Sequence, residues 1–399
     1  MFAPRLPAPG RRRFLRTAGA GAVALAVGQR WLARLAAQAA PCGALPAGDL
    51  VRTLPLYGAG SDALPLGQVV GSGLDARLYT DLSRIDANAL VTPLDDVFVR
   101  TAVPPALPAA ASWTVTLRDL EGQARVTTPV AGLARRASPQ GTHLMECAGN
   151  SNPWNFGLMS AVAFDGVPLT QIVAALPRPK DAAGLLVTGY DHDTANTRQS
   201  LPGASWILPV DTIATSGAFL ATTMGGRPLS LEHGAPVRLV VPGWYGCAWI
   251  KWVHELQWVT ADERSTTQML EFAFRTHQDG IPMRARDYAV PAIDTAAMPV
   301  RVEQRRVEGR TEYRVVGIVW GGTAPVDRLL IRFGSREAGA PVQVCPAPAS
   351  AQSWALWSYR WQPTEPGYYD ITLKATDPAV RTRRLDVSFY IRRVKIDEI

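Results

Sequence analysis

The stretch Gly141-Thr142-His143-Leu144-Met145-Glu146-Cys147-Ala148-Gly149-Asn150 carries the strongest structural signal in the sequence. A single cysteine stands where an apolar run meets small, turn-forming residues. The Ala-Gly-Asn turn lets the backbone tighten without Cβ clashes, so the Cys147 thiol is expected at the edge of a strand or helix. That position favours a thiolate that binds a metal or cofactor. The alternative from this stretch alone is an inert core cysteine beside a turn.

The positive charge of the chain belongs to its N-terminus. The 399 residues carry a formal net charge of +7, and residues 1–39 contain seven arginines but no lysine, aspartate or glutamate. Without those seven, 34 basic residues face 34 acidic ones, so the rest of the chain is neutral. A neutral body disfavours a phosphate-tracking surface, and we expect no nucleic-acid partner. The length and the hydrophobic content of 47% predict a sizeable core and two domains.

The four cysteines are Cys42, Cys147, Cys247 and Cys345, and they form no CxxC, CxxCH or close cluster. Their spacing disfavours a zinc ribbon, a covalently attached haem and a dense disulfide scaffold. One disulfide is compatible with export, although spacing does not decide the pairing. His143 and Cys147 would offer two zinc ligands, but no third and fourth ligand stand at metal-site spacing.

Residues 1–39 are predicted to be an export signal that is removed. The run Gly10–Arg16 resembles a twin-arginine signal, whose pattern is matched by Arg11, Arg12, Phe14, Leu15 and Arg16. Ala37-Gln38-Ala39 offers a small-x-small cleavage site. The apolar stretch that follows the arginines is shorter than the ~20 residues of a membrane-spanning helix, so no stable span is expected after cleavage. The alternatives are a disordered basic tail and, because of Arg30 and Arg34, an uncleaved leader.

The rest of the chain is predicted to comprise a linker and two domains. Residues 40–91 are rich in Gly, Pro and Leu, which indicates a linker that lies over the first domain. In residues 92–262, strand-like runs such as 96–100, 113–117, 142–147, 185–188 and 237–241 accompany a short helix over 169–176. This mixture is typical of an α+β domain.

The C-terminal part, residues 274–399, is predicted to be a β-sandwich. Short strand-like runs recur between turn signals, at 315–322, 329–334, 357–361, 367–375 and 385–394. Trp357, Tyr359 and Trp361 alternate along one of these runs. We expect this aromatic stripe in a core or an interface rather than around a ligand.

Two further motifs provide candidate ligand-binding residues. His233-Gly-Ala-Pro-Val-Arg238 places an imidazole and a guanidinium at the ends of a turn-and-strand unit. The glycine-punctuated loop 241–252 ends near Lys251. Glycines let backbone N–H groups approach a ligand, and Lys and Arg supply charge for a phosphate. Neither GxGxxG nor GxxxxGK[ST] occurs, so nucleotide-binding folds have no support.

In this order, four stretches resemble the sulfite oxidase family of molybdenum-cofactor enzymes: Phe98-Val99-Arg100, Glu146–Asn150, His233–Arg238 and Pro242–Trp252. The resemblance extends from about residue 90 to 390. It implies that the Cys147 thiolate binds molybdenum directly. Arg100 would lie beside an oxyanion substrate, and Trp154 would line the substrate pocket. The residues expected to hold the pterin and its phosphate are Phe98, Asp191, His233, Arg238, Gly246 and Lys251.

The sequence also departs from the sulfite-oxidising members. Thr101-Ala102 replaces Asn-His after the arginine, and Ser151-Asn152-Pro153 stands where arginines follow the cysteine motif. The active-site tyrosine is missing, and Phe272 and Phe274 occur in its region. Fewer donors should hold a small dianion less firmly. The cofactor is therefore better supported than sulfite as the substrate.

The resemblance implies a periplasmic molybdenum-cofactor oxidoreductase. It would oxidise sulfite or a related sulfur compound by oxo transfer and pass electrons to an external acceptor such as a c-type cytochrome, because this chain has no haem motif. The C-terminal domain would be immunoglobulin-like and would form a homodimer. The alternatives are a sulfane-sulfur dehydrogenase or an S- or N-oxide reductase on the same cofactor, and an exported non-catalytic interaction protein.

Overall fold

The computed structural model describes residues 48–58, 69–70, 77–87, 89–100, 106–152, 156–190, 204–322, 329–334, 339–345, 353–376 and 381–399. The predicted leader, Trp154 and Asp191 lie outside these ranges. No helix within them is long and apolar enough to cross a membrane.

The described residues form a mostly β structure. Five short strands precede residue 101: β1 (Asp49–Leu54), β2 (Leu56–Tyr57), β3 (Val69–Val70), β4 (Arg77–Leu78) and β5 (Val99–Arg100). Ten strands occupy the central part of the chain: β6 (Thr114–Arg118), β7 (Ala124–Pro129), β8 (Ser138–Glu146), β9 (Met159–Pro168), β10 (Gly184–Gly189), β11 (Ser205–Pro209), β12 (Phe219–Met224), β13 (Arg227–Pro228), β14 (Arg238–Val240) and β15 (Val253–Val259). Eight follow: β16 (Ala296–Val307), β17 (Arg310–Trp320), β18 (Leu329–Phe333), β19 (Ala340–Pro341), β20 (Gln343–Val344), β21 (Ala355–Trp361), β22 (Gly367–Ala375) and β23 (Arg392–Ile396).

The helices of the described residues are short: α1 (Val130–Arg136), α2 (Leu169–Val173), α3 (Val210–Thr215) and α4 (Thr267–Glu271). Single 3₁₀ turns lie at Leu82–Arg84, Leu94–Asp96, Ala110–Ser112, Gly246–Ala248, Ala273–Arg275 and Ala285–Asp287. Helices α1, α2 and α3 each follow a proline that ends a strand, at Pro129, Pro168 and Pro209. Proline cannot donate to a strand ladder, and its fixed φ suits the approach to a helix. These prolines therefore mark the change from strand to helix.

Two sheets build the central part of the chain. One has the order β11-β10-β15-β6-β7, in which β15 and β6 run parallel. The other has the order β13-β12-β9-β8, and β14 also pairs with β12. The last four residues of β8 are buried, and Glu146 at its end lies opposite Met159 of β9. This pairing fixes the place where β8 stops and Cys147 begins the following turn.

The C-terminal part contains two further five-stranded sheets, ordered β1-β16-β17-β21-β20 and β19-β18-β22-β23-β2. Phe333 of β18 stacks on Trp361 of β21 with ring centroids 4.1 Å apart, which joins the two sheets. Trp357 and Trp361 are buried, so the aromatic stripe is core, as predicted. The C-terminal β-sandwich is therefore present as expected, and in the first domain β structure dominates over helix.

The segment expected to be a linker over the first domain contributes strands to these C-terminal sheets. Strand β1 pairs with β16, and β2 pairs with β23. Five of the six residues of β1 are exposed and only Leu54 is buried. An edge strand of this kind buries almost no side chains, so its sequence shows no alternation of apolar and polar residues.

Candidate active site

Cys147 is held in a tight turn directly after β8. Its N–H donates to the Leu158 carbonyl at 3.0 Å, and the Asn150 N–H donates to the Cys147 carbonyl at 2.9 Å. The Asn150 side chain also holds the turn against the backbone at Leu158, because its Oδ1 accepts from the Leu158 N–H at 3.1 Å. The Gly149 N–H donates to the Cys147 sulfur at 3.3 Å. The thiol is therefore fixed by the motif that the sequence analysis singled out.

The Cys147 thiol is buried, with 9% of the residue exposed. Burial raises the pKa of this thiol above its usual value, although the Gly149 N–H and the positive charges of Arg100 and Arg275 act in the opposite direction. A sulfur with a backbone donor and two nearby cations is arranged to carry negative charge once a ligand compensates for its desolvation. This environment is more typical of a ligand sulfur than of an inert core cysteine.

A cavity of about 330 Å³ opens beside this sulfur. It is within the size range of small-molecule and cofactor sites, ~300–1,000 Å³. The structure brings seven predicted site residues together in its wall: Phe98, Arg100, Cys147, His233, Arg238, Gly246 and Lys251. The remaining two predicted residues, Trp154 and Asp191, lie outside the described residues. We call this space the first cavity.

His233 uses both ring nitrogens within the protein. Its Nε2–H donates to the Phe98 carbonyl at 3.1 Å, so its Nδ1 is the acceptor that faces the Ser230 hydroxyl at 2.9 Å. Burial and the nearby Arg238 lower its pKa to about 4, which keeps the ring neutral near pH 7. The imidazole lies in the cavity wall, and its hydrogen bond to Phe98 links the backbone of that residue to the His-Gly-Ala-Pro loop.

Arg238 is a buried cation, and no carboxylate of the described residues pairs with it. Its guanidinium donates to the carbonyls of His233 and Trp249, each at 3.1 Å, and its buried Nε has no hydrogen-bond partner within the described ranges. Burial alone lowers its pKa to about 10, still far above neutrality. An unneutralised charge in a cavity wall is costly unless an anion binds there. Among the described residues, this arrangement is the one that best fits the phosphate of a pterin cofactor.

Lys251 and the glycines around it are closely packed. The Lys251 ammonium donates to the Glu232 carbonyl at 2.9 Å and lies 4.9 Å from the centre of the Trp252 ring. A Cβ at Gly189 would overlap the Lys251 carbonyl oxygen, and one at Gly246 would lie 3.1 Å from the Glu146 carbonyl oxygen. Glycine at these positions lets the backbones that line the first cavity approach one another.

The end of β8 is anchored to the C-terminal part of the chain by a buried ion pair that the sequence analysis missed. Arg383 donates to both carboxylate oxygens of Glu146, at 2.8 and 2.7 Å. The Trp320 indole N–H also donates to Glu146, at 2.9 Å, and Arg383 donates to the Tyr390 hydroxyl at 2.9 Å. Burial lowers the Arg383 pKa, but Glu146 outweighs it, so the pKa lies well above its usual value. No local motif marks Arg383, because its partner is 237 positions away in the sequence.

A second cavity of about 500 Å³ also reaches Cys147. Its wall contains residues from both parts of the chain, among them Glu146, Cys147, Arg275, Arg381, Arg383 and Tyr390. The sequence analysis missed Arg275 as well. The signal available was its position three residues after Phe272, in the region where the expected tyrosine is absent. Cys147 therefore lies where two cavities meet.

The states of the cysteines left open by the sequence differ. Cys147 and Cys247 are free thiols, whereas Cys345 is disulfide-bonded. Cys247 also lines the first cavity, but burial raises its pKa well above the usual value. Such a thiol is unreactive. Within the described ranges, no three His, Cys, Asp or Glu side chains group as metal ligands.

The sequence was compared with known proteins. Residues 101–267 match the family described as "Oxidoreductase molybdopterin binding domain". Sulfite oxidase from Gallus gallus is 27% identical over 319 residues, which cover 73% of this chain and 67% of that protein. The chain therefore contains a region that matches a molybdopterin-binding oxidoreductase domain, and it is similar to sulfite oxidases over most of its length. Mitochondrial sulfite oxidase from Homo sapiens is 26% identical over 288 residues, which cover 68% of this chain and 50% of that protein.

Two further similarities were found, one in sequence and one in fold. Inducible nitrate reductase [NADH] 2 from Glycine max is 26% identical over 197 residues, covering 46% of this chain and 22% of that protein. The crystal structure of the sulfane dehydrogenase SoxCD from Paracoccus pantotrophus matches with a TM-score of 0.60 and 16% identity. That match covers 83% of this chain and 89% of the SoxCD chain, and it concerns the fold alone. The chain spans half to two thirds of the length of the two sulfite oxidases.

Proposed function

We propose that this protein is a periplasmic molybdenum-cofactor oxidoreductase that oxidises sulfite or a related sulfur oxyanion. The observation that carries the proposal is the first cavity, which has a fixed, buried cysteine sulfur and an unneutralised buried guanidinium in one wall. A thiolate suits a soft metal centre, and a guanidinium suits a phosphate. These are the two ends of the cofactor that the family binds.

Different residues of the first cavity would bind different parts of the cofactor. Cys147 would ligate the metal, Arg238 and Lys251 would hold the phosphate, and Gly246 lets the backbone come close. When bound, the molybdenum cofactor supplies two-electron oxo-transfer chemistry. The chain itself would hold and orient an anionic substrate through Arg100, which lines the same cavity as Cys147 and whose charge acts on its sulfur. Orienting the reacting sulfur compound is the main contribution of the protein to such a reaction.

The location and partners are part of the same proposal. The twin-arginine-like leader supports export, and so does the disulfide at Cys345, because disulfides persist in oxidising compartments. Electrons would leave to a separate acceptor, for which we propose a c-type cytochrome. The C-terminal sandwich would form the homodimer.

A second candidate is supported by the residues around the site. Ser151 and Asn152 follow the cysteine motif, and the apolar ring of Phe272 lines the first cavity. With fewer fixed donors in these places, a sulfane sulfur or an S- or N-oxide is a reasonable alternative substrate on the same cofactor.

The metal content of the purified protein tests whether the chain holds the cofactor. We expect one molybdenum per chain in the wild type. Cys147→Ser should remain folded by circular dichroism but lose turnover with sulfite, because serine offers no soft ligand. Cys247→Ala removes the other free thiol of the cavity and should keep its molybdenum. Undiminished activity of Cys147→Ser would contradict the proposal, and assays with sulfite, thiosulfate and sulfoxides would identify the substrate class.

A further inference from the structure

We infer that Arg275 binds the anionic head of the substrate and determines that this enzyme prefers anions to neutral S-oxides. The inference rests on the proposed function and names a residue that no motif assigns. Arg275 ends the 3₁₀ turn Ala273–Arg275, which follows α4. It reaches the site from a different part of the chain than the cysteine motif.

The first argument is the position of the guanidinium. A Cβ built on Gly149 would lie 2.7 Å from Arg275 Nη1 and 3.6 Å from the Cys147 sulfur. The guanidinium therefore lies against the Cys-Ala-Gly-Asn turn itself, where Gly149 leaves room for it. Ser151 and Asn152 supply no cation after this turn. Arg275 provides one in the same region of space.

The second argument is that the charge of Arg275 is not neutralised. Other arginines in the wall of the second cavity pair with carboxylates: Arg383 with Glu146 at 2.7 Å, and Arg381 with Asp294 at 3.2 Å. In the part of the chain that the structure describes, no carboxylate lies within 4.0 Å of the Arg275 guanidinium. It lies 5.7 Å over the Phe272 ring, which orients it and leaves its N–H donors available.

The third argument is that two cavities with different cationic residues meet at Cys147. The first cavity contains Arg238 and Lys251, which suit the cofactor phosphate, whereas Arg275 lines the second cavity. The second cavity, of about 500 Å³, also reaches Cys147, so an anion held near the sulfur by Arg100 in the first cavity can meet Arg275 in the second. A guanidinium fork binds two oxygens of one oxyanion at once. The substrate class that fits is a small oxyanion, such as a sulfur oxyanion, which this fork can hold beside the metal ligand.

The test compares Arg275→Gln and Arg275→Lys with the wild-type holoenzyme. Losing a hydrogen bond to a charged group should raise KM for sulfite about 10- to 100-fold and leave kcat within about twofold, and lysine should recover part of the loss. Arg286→Gln is the matched control, because Arg286 is exposed, pairs with Asp262 at 3.1 Å and is not in either cavity wall. Its KM should not change.

Equilibrium binding of sulfate, a non-reacting oxyanion, gives a readout besides turnover. Isothermal titration should show sulfate bound about 10- to 100-fold more weakly by Arg275→Gln than by wild type or Arg286→Gln. Equal sulfate binding and equal KM in the Gln variant would overturn the inference, and so would an equal KM increase for a neutral sulfoxide. Absence of molybdenum from the wild type would instead contradict the proposed function, and the sulfate titration would still decide the role of Arg275.

Discussion

The basic residues at the two ends of the His233–Arg238 motif have different charge states, although both are buried. His233 is neutral because burial and Arg238 lower its pKa to about 4. Arg238 stays charged because even its lowered pKa, about 10, is far above neutrality. The sequence could name both residues as candidates, but it could not assign these states, because ionisation depends on burial and neighbours that only the fold brings together. The neutral His233 ring therefore holds the backbone at Phe98 in place, and the charged Arg238 guanidinium can bind an anion.

The neutral state of His233 predicts a pH dependence of stability. Below about pH 6.5 the unfolded chain binds a proton at this residue, whereas the folded protein does so only near pH 4. Stability that is present above pH 6.5 is therefore lost as the pH falls, by about 3 kcal/mol in total. Chemical denaturation of the cofactor-free protein at several pH values should show a shallower dependence for His233→Gln. Ser230→Ala keeps the imidazole and should keep the wild-type slope, and equal slopes for wild type and His233→Gln would contradict the argument.

At the scale of strands and helices, several strand-like runs of the sequence lie where the structure has strands. The runs at 185–188, 329–334 and 367–375 coincide with β10, β18 and β22. The predicted strand at 385–394 is wrong, because a turn region precedes β23, which begins only at Arg392. Leu385 and Tyr390 are nevertheless buried, and Tyr390 packs against Phe156 with ring centroids 5.3 Å apart. A loop that covers a core can therefore show the apolar spacing of a strand.

The contact between β10 and the segment before β15 predicts an intolerance of side chains at Gly189. Since a Cβ there would overlap the Lys251 carbonyl oxygen, Gly189→Ala must move Lys251 or the strand end. We expect a loss of about 1–3 kcal/mol in the free energy of unfolding and a lower molybdenum content. Gly132→Ala is the control, because its Cβ would meet only ordinary contacts at 3.8 Å in α1. That substitution should stabilise the protein by up to about 1 kcal/mol, and an equally neutral Gly189→Ala would show that the site has room.

For the whole molecule, the sequence could predict the residues that lie within contiguous motifs but not those that complete the site from elsewhere. Phe98, Arg100, Cys147, His233 and Lys251 were found because each belongs to a short recognisable stretch, and they line one cavity. Arg275 and Arg383 belong to no such stretch. Arg383 reaches the end of β8 because the C-terminal part packs there, and Arg275 reaches the cysteine turn from the 3₁₀ turn after α4. Periodicity carries no information on contacts so distant in sequence.

The Glu146–Arg383 pair allows this packing to be tested. Both side chains are almost fully buried, so removing one leaves the other charged and unpaired at a cost of about 3–5 kcal/mol. Glu146→Leu and Arg383→Met should each destabilise the protein by that amount and lower its molybdenum content, because Glu146 directly precedes the metal ligand. The double variant Glu146→Leu/Arg383→Met removes both charges and should lose far less than the sum of the single losses. Arg393→Met is the surface control: its pair with Asp370, 2.7 Å apart but largely exposed, is screened by solvent and should contribute less than about 1 kcal/mol. Additive losses in the double variant would show that the buried pair does not couple the two parts of the chain at Cys147.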